Sequence, residues 1–235
     1  MKILHSRFYM LAAGIVLLGC SSTAMAAAIG TASLGQCSGG GVMVNSTTIN
    51  WQNAGTQPNT GCFNTGIPTS ISYSGGSVGA GATGNIKDLV APAGTVDQFM
   101  TISGTNLDFV FNGFAAPPTS NTACDSTLGD SCIVATGSPF FLTNTATGVS
   151  VNLDAFGTIT DGGVTSNWTV IFSTQLPSTT AAAIQSTIEA GGTISSTYAG
   201  ALTISSVPEP TTLSMLLLGG VALLGSRFRR RKTML

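Results

Sequence analysis

Between Ala27 and Ser206 this chain has no histidine and no arginine, and its one base there is Lys87. The single histidine of the sequence is His5, near the start. Without imidazole, Ser-His and Cys-His machinery and histidine-held metals are excluded from that stretch. Without guanidinium, no arginine clamp for an oxyanion or a phosphate can form there. Eight carboxylates (Asp88, Asp97, Asp108, Asp125, Asp130, Asp154, Asp161 and Glu189) face the one lysine, so the segment stands near −7 while the whole chain is −1. No basic patch exists to neutralise phosphates, which excludes a nucleic-acid partner. Charged residues are only 7% of the chain. Solubility therefore rests on Ser, Thr, Asn and Gly, a composition common in extracellular proteins.

What is present begins at the two ends. Lys2, His5 and Arg7 precede an apolar run from Phe8 to Gly19, too short to span a bilayer comfortably. Small residues follow, with Ala24-Met25-Ala26 in the small-x-small pattern that signal peptidase reads. Residues 1–26 are expected to be a signal peptide whose helix is cut off after Ala26, with Ala28 as the alternative position. Leu17-Leu18-Gly19-Cys20 offers a second reading, lipoprotein processing at Cys20.

At the other end the sequence passes from Thr203-Ile204-Ser205-Ser206 into Val207-Pro208-Glu209-Pro210. Two prolines within three residues exclude regular helix or sheet pairing and predict an extended, accessible hinge. Residues 211–226 are rich in Leu and Val, and as a helix they would reach about 24 Å, a marginal transmembrane span. Arg227, Arg229, Arg230, Arg231 and Lys232 follow at once. Such a cluster stays on the cytoplasmic side and places the body of the protein outside the inner membrane.

These three parts in order, a Val-Pro-Glu-Pro hinge, a short apolar helix and an Arg-rich end, resemble the PEP-CTERM sorting signal of Gram-negative bacteria. The resemblance covers Val207 to Lys232. It implies processing by an exosortase-type membrane enzyme, transient residence in the inner membrane, and an exopolysaccharide-producing context with exopolysaccharide itself as a candidate partner. A plain C-terminal tail anchor is the alternative.

The segment 27–206 is long enough for one domain with a substantial core. It holds four cysteines, and export to an oxidising compartment favours disulfides. Four cysteines allow three connectivities; the sequence-local pairs Cys37 with Cys62 and Cys124 with Cys132 are preferred. A zinc site is the poorer reading, since neither spacing is a CxxC knuckle, and no metal or cofactor is expected.

Period-two alternation marks strands. Val149, Val151 and Leu153 alternate with polar residues, as do Trp168, Val170 and Phe172. With turn signals at 144–148 and 161–163, these runs predict a three-stranded meander near Phe140–Thr143, Gly148–Phe156 and Ser166–Thr174. Shorter candidates lie at 47–51, 71–73, 96–102, 107–111, 194–198 and 201–204. Gly35–Gly41 and Gly75–Gly84 read as loops. Ala-rich Thr179–Ala190, with Ser178 as cap, Gly191 as terminator and an Ile184/Ile188 stripe, predicts one short helix. The expected fold is a mainly β, antiparallel sandwich carrying that helix.

For chemistry, Asp154 with Asp161, or Asp97 with Asp108, are the nearest carboxylate pairs for a glycosidase. Aspartates beside Gly, Asn and Thr more often form solvated turns. Trp168 is expected in the core, and Trp51 partly exposed, where it could stack on sugar. The expectation is an exported, non-enzymatic envelope or matrix protein with a structural or adhesive role. A carbohydrate-binding module is the alternative, and a carboxylate-dependent glycoside hydrolase a more distant one.

Overall fold

The computed structural model describes residues 27–52, 60–90, 94–207 and Gly219. Its longest elements are two strands of the expected meander, β12 (Gly148–Asp161) and β13 (Val164–Pro177), each longer than the alternation suggested. They pair antiparallel throughout, from Gly148 opposite Pro177 to Asp161 opposite Val164. Gly162 and Gly163 close this hairpin with φ of 56° and 91°. A two-residue type I′ turn needs that left-handed pair, and glycine adopts it without a Cβ clash.

Around the hairpin the chain closes an eight-stranded barrel. From β12 and β13 the ring continues through β15 (Ala199–Ser206), β1 (Ile29–Gln36), β4 (Thr60–Tyr73), β6 (Thr83–Lys87), β8 (Val96–Ile102) and β9 (Asp108–Phe114). β9 then returns to β12 along Ala155–Thr160. This corrects the expected sandwich, and the length of β12 supplies the reason. Its first half pairs with β11 (Phe140–Thr145). Its second half, from Ala155 on, pairs with β9 instead, with a register shift at Phe156/Gly157. Each strand of the ring thereby gains two neighbours, and the open edges that a sandwich keeps are used up. β10 (Ser131–Ile133) extends β11, and β5 (Gly76–Val78) folds back on β4.

Side chains fill the barrel, as an eight-stranded interior allows. Trp168, Phe99, Phe109 and Phe111 are fully buried. The Trp168 ring stacks on Phe99 with centroids 5.9 Å apart. Its indole N–H donates to Thr158 O at 2.9 Å and to Val110 O at 3.1 Å, reaching strands on both sides of the β9–β12 seam. Trp168 lies directly opposite Gly157 in the hairpin register.

A second sheet packs against the end of the barrel where β12 begins, in the order β14 (Ile194–Ser196), β2 (Gly41–Val44), β3 (Thr48–Gln52) and β7 (Leu89–Val90). Trp51 of β3 meets Phe172 of β13 at 4.6 Å and Tyr198 at 4.8 Å. The helix forms as α1 (Ala181–Glu189), burying Ala181, Ile184 and Ile188. Thr180, not Ser178, is its cap, its hydroxyl accepting from the Ala183 amide at 3.3 Å. Ser178 instead takes φ 57° and its amide donates to Thr147 O. Gly191, at φ 79°, follows the helix as anticipated.

Candidate functional site

The cysteines pair as expected, Cys37 with Cys62 and Cys124 with Cys132. The Cys62 carbonyl accepts from the Cys37 amide at 3.3 Å and from the Tyr198 hydroxyl at 2.9 Å. Burial pushes the Tyr198 phenol well above its ordinary range. Trp51 corrects its expectation: it is 2% exposed, enclosed by Phe172 and Tyr198, and offers no face to a sugar. Trp168 is equally enclosed.

The carboxylate pair Asp154 and Asp161 is not assembled. Asp154 and Asp161 sit seven residues apart on β12. An odd spacing puts them on opposite faces, and a rise of about 3.3 Å per residue separates them by roughly 23 Å. A glycosidase needs about 5–9.5 Å. Asp97 lies near the start of β8 and Asp108 at the start of β9. Those strands are antiparallel, and Asp97 follows Val96, which faces Phe111, so it lies beside the middle of β9, exposed, while Asp108 is half-buried. Asp161 is fully buried and accepts from the Ser74 amide and hydroxyl and, at 3.5 Å, from Asn106 Nδ2. Asp125 accepts from the Thr127 amide at 2.9 Å in a local turn.

Asp154 has a buried Oδ1 with no hydrogen-bond partner, and burial raises its pKa. A folded-state pKa above the unfolded value means that ionisation costs stability at neutral pH, and the cost disappears as pH falls through the raised pKa. Asp154→Asn should therefore raise the thermal midpoint at pH 7. The gain should shrink as pH drops through the carboxylate range, as followed by circular dichroism melts from pH 7 to pH 4. A gain of equal size at pH 4 would show that ionisation is not its source.

The functional junction lies where β15 ends. Its register runs to Ser206 opposite Ser166 of β13, and on its other side Ile204 faces Gly30 of β1. The Ser166 hydroxyl, wholly buried, donates to Ala28 O at 2.7 Å. The starts of β1 and β13 and the end of β15 are thus fastened together. Val207 is the first residue beyond them and is 41% exposed.

Residues 206–232 match the family description "PEP-CTERM protein-sorting motif". The chain carries this sorting motif. The PEP-CTERM match starts at Ser206, the last residue of β15, so the motif follows the barrel with no intervening linker. It marks an exported protein, presented as a membrane-anchored precursor to an exosortase-type enzyme. No curated protein matches the chain, and no solved structure does. Of the export and sorting residues named above, Val207 is described. Ala24, Ala26, Pro208, Glu209, Pro210, the run 211–226, Arg227, Arg229, Arg230, Arg231 and Lys232 lie outside the described residues. Among the described residues, no helix is long and apolar enough to cross a membrane. Ser166, Ala28 and Ser206 escaped the sequence reading because lone serines and alanines in a Ser/Ala-rich chain carry no local signal.

Proposed function

We propose that this is a structural or adhesive protein of the cell envelope or extracellular matrix, delivered there by its PEP-CTERM tail and not itself an enzyme. The observation that supports it best is the outer wall of the barrel. Thr169, Thr203, Thr31 and Ser70 stand opposite one another on β13, β15, β1 and β4, all exposed. Neighbouring strands lie about 4.8 Å apart, so these hydroxyls form an uncharged row suited to a hydrated polysaccharide matrix. The separation of Asp154 from Asp161 and the side-chain-filled barrel fit a non-catalytic role. With Trp51, Trp168 and Tyr198 all in the core, neither tryptophan nor this tyrosine offers a face to a sugar.

The test is made in the producing cell. Wild-type protein should be recovered from the surface or matrix without its last residues, as judged by mass spectrometry. Replacing Pro208, Glu209 and Pro210 with alanine should leave the precursor uncleaved in the inner membrane. Matrix mass should fall when the gene is deleted and return with the wild-type gene but not with the alanine variant. An intact C-terminal peptide ending at Leu235 in surface-located protein would make the tail a plain anchor. Unchanged matrix after deletion would remove the structural role, and turnover of a polysaccharide by the purified barrel would remove the non-enzymatic one.

A further inference from the structure

Both ends of the barrel's chain leave it side by side. β1 begins at Ile29 and β15 finishes at Ser206, on antiparallel neighbouring strands. The turns at the same end are 74–75 after β4, 103–107 between β8 and β9, and 162–163 in the long hairpin. Asp161 ties all three together by accepting from Ser74 and Asn106 at the foot of that hairpin.

Charge is distributed unequally between the two ends. The exposed carboxylates among the described residues are Asp97, Asp125, Asp130 and Glu189. Asp97 lies at the opposite end of β8 from the 103–107 turn. Asp125 and Asp130 belong to the loop that packs on Asn144 and the start of α1, and Glu189 closes α1. At the exit end Asp161 is buried and Asp108 half-buried. The exposed residues there, such as Ser74, Ser103, Gly104, Asn106 and Thr165, are uncharged. Ile29, 48% exposed, stands among them.

The tail sets the distance to the membrane. Four residues lie between Ser206 and Thr211, where the apolar run begins, and the five Cα steps fully extended reach at most about 17 Å. The headgroup layer takes roughly 6 Å of that, leaving at most about 11 Å between barrel and headgroups. The electrostatic screening length is about 8 Å at physiological salt. A strand of fourteen residues, tilted by about 40°, makes the long hairpin roughly 35 Å tall, so Asp125, Asp130 and Glu189, by its other end, lie well beyond that range.

We propose that the exit end of the barrel is a membrane-facing surface, which rests on the phospholipid headgroups in the tail-anchored precursor while the carboxylate-bearing end points away. An anionic bilayer repels exposed carboxylates within a screening length, and the carboxylates at this end among the described residues are the buried Asp161 and the half-buried Asp108. The inference rests on the sorting-tail reading.

The signal-cleaved precursor, its four remaining cysteines paired, is reconstituted in phosphatidylethanolamine/phosphatidylglycerol vesicles with a fluorophore on one added cysteine. Ser103→Cys and Thr165→Cys report the exit end; Thr127→Cys and Thr187→Cys report the other. Headgroup-nitroxide lipid should quench the first two labels and leave the second two bright. Thr165→Glu combined with Asn106→Asp should remove the quenching at position 103 while the melting curve shows the barrel still folded. Equal quenching at both ends in protein that floats with the vesicles would overturn the proposal. Protein that does not float would overturn the anchoring tail and this inference together.

Discussion

Replacing Gly157 with alanine is expected to break the barrel at its closing seam. A Cβ there would lie 1.9 Å from Val110 O and 2.7 Å from Trp168 Cζ2. The first neighbour is backbone of β9, held in the ladder that closes the ring. The second is the indole ring, fixed by two N–H bonds and by stacking on Phe99. Neither can give way without breaking what holds it. Overpacking of a well-filled core costs about 1–3 kcal/mol, and with both neighbours immovable the upper end applies. For a domain of this size, about 3 kcal/mol lowers the thermal midpoint by roughly 6–12 °C. Gly79→Ala is the control, because a Cβ at Gly79 meets nothing within 4 Å. Circular dichroism melts of residues 27–206 decide the matter. A Gly157→Ala protein that melts with the wild type would mean that β9 and the indole do not crowd this residue.

Removing the Cys37–Cys62 bridge is expected to destabilise the barrel more than removing Cys124–Cys132. The two bonds span 25 and 8 residues. By loop-closure entropy the longer contributes about 3.5 kcal/mol and the shorter about 2.5 kcal/mol. Position adds to the difference. Cys37 follows β1 and Cys62 lies in β4, so the first bridge secures two ring strands where the Tyr198 hydroxyl also binds. The second ties a surface loop to β10. Urea unfolding of the Cys37→Ser/Cys62→Ser and Cys124→Ser/Cys132→Ser proteins measures both. The reverse order of stabilities would show that the first bridge does not restrain the ring.

The strands that were legible are those whose information is local. β12 and β13 alternate cleanly, and Asp161-Gly162-Gly163 announces their turn. β1, most of β4 and β6 were not legible, because their outward positions are Ser, Thr, Asn and Gly and their glycines resemble loop residues. The structure gives those glycines another use. At Gly84 a Cβ would meet the Phe63 ring at 2.3 Å, and at Gly61 it would meet Trp51 Cβ at 2.3 Å. Here glycine lets an aromatic side chain lie on the strand, and its partner is distant in sequence or in another sheet.

The sequence by itself determined the export signal pattern, the PEP-CTERM tail, the local cysteine pairs, the long hairpin and the helix α1. Each is written within a window of a few tens of residues, in spacing, turn chemistry or charge order. Tertiary structure alone decided that the sheet closes, that Trp51 and Asp161 are buried, and that the two chain ends leave from one face. Closure depends on β1 meeting β15 from opposite ends of the chain, and on β12 changing partner between Leu153 and Ala155. Such pairings are selected by how side chains fill a shared interior, and no local pattern of residues records that.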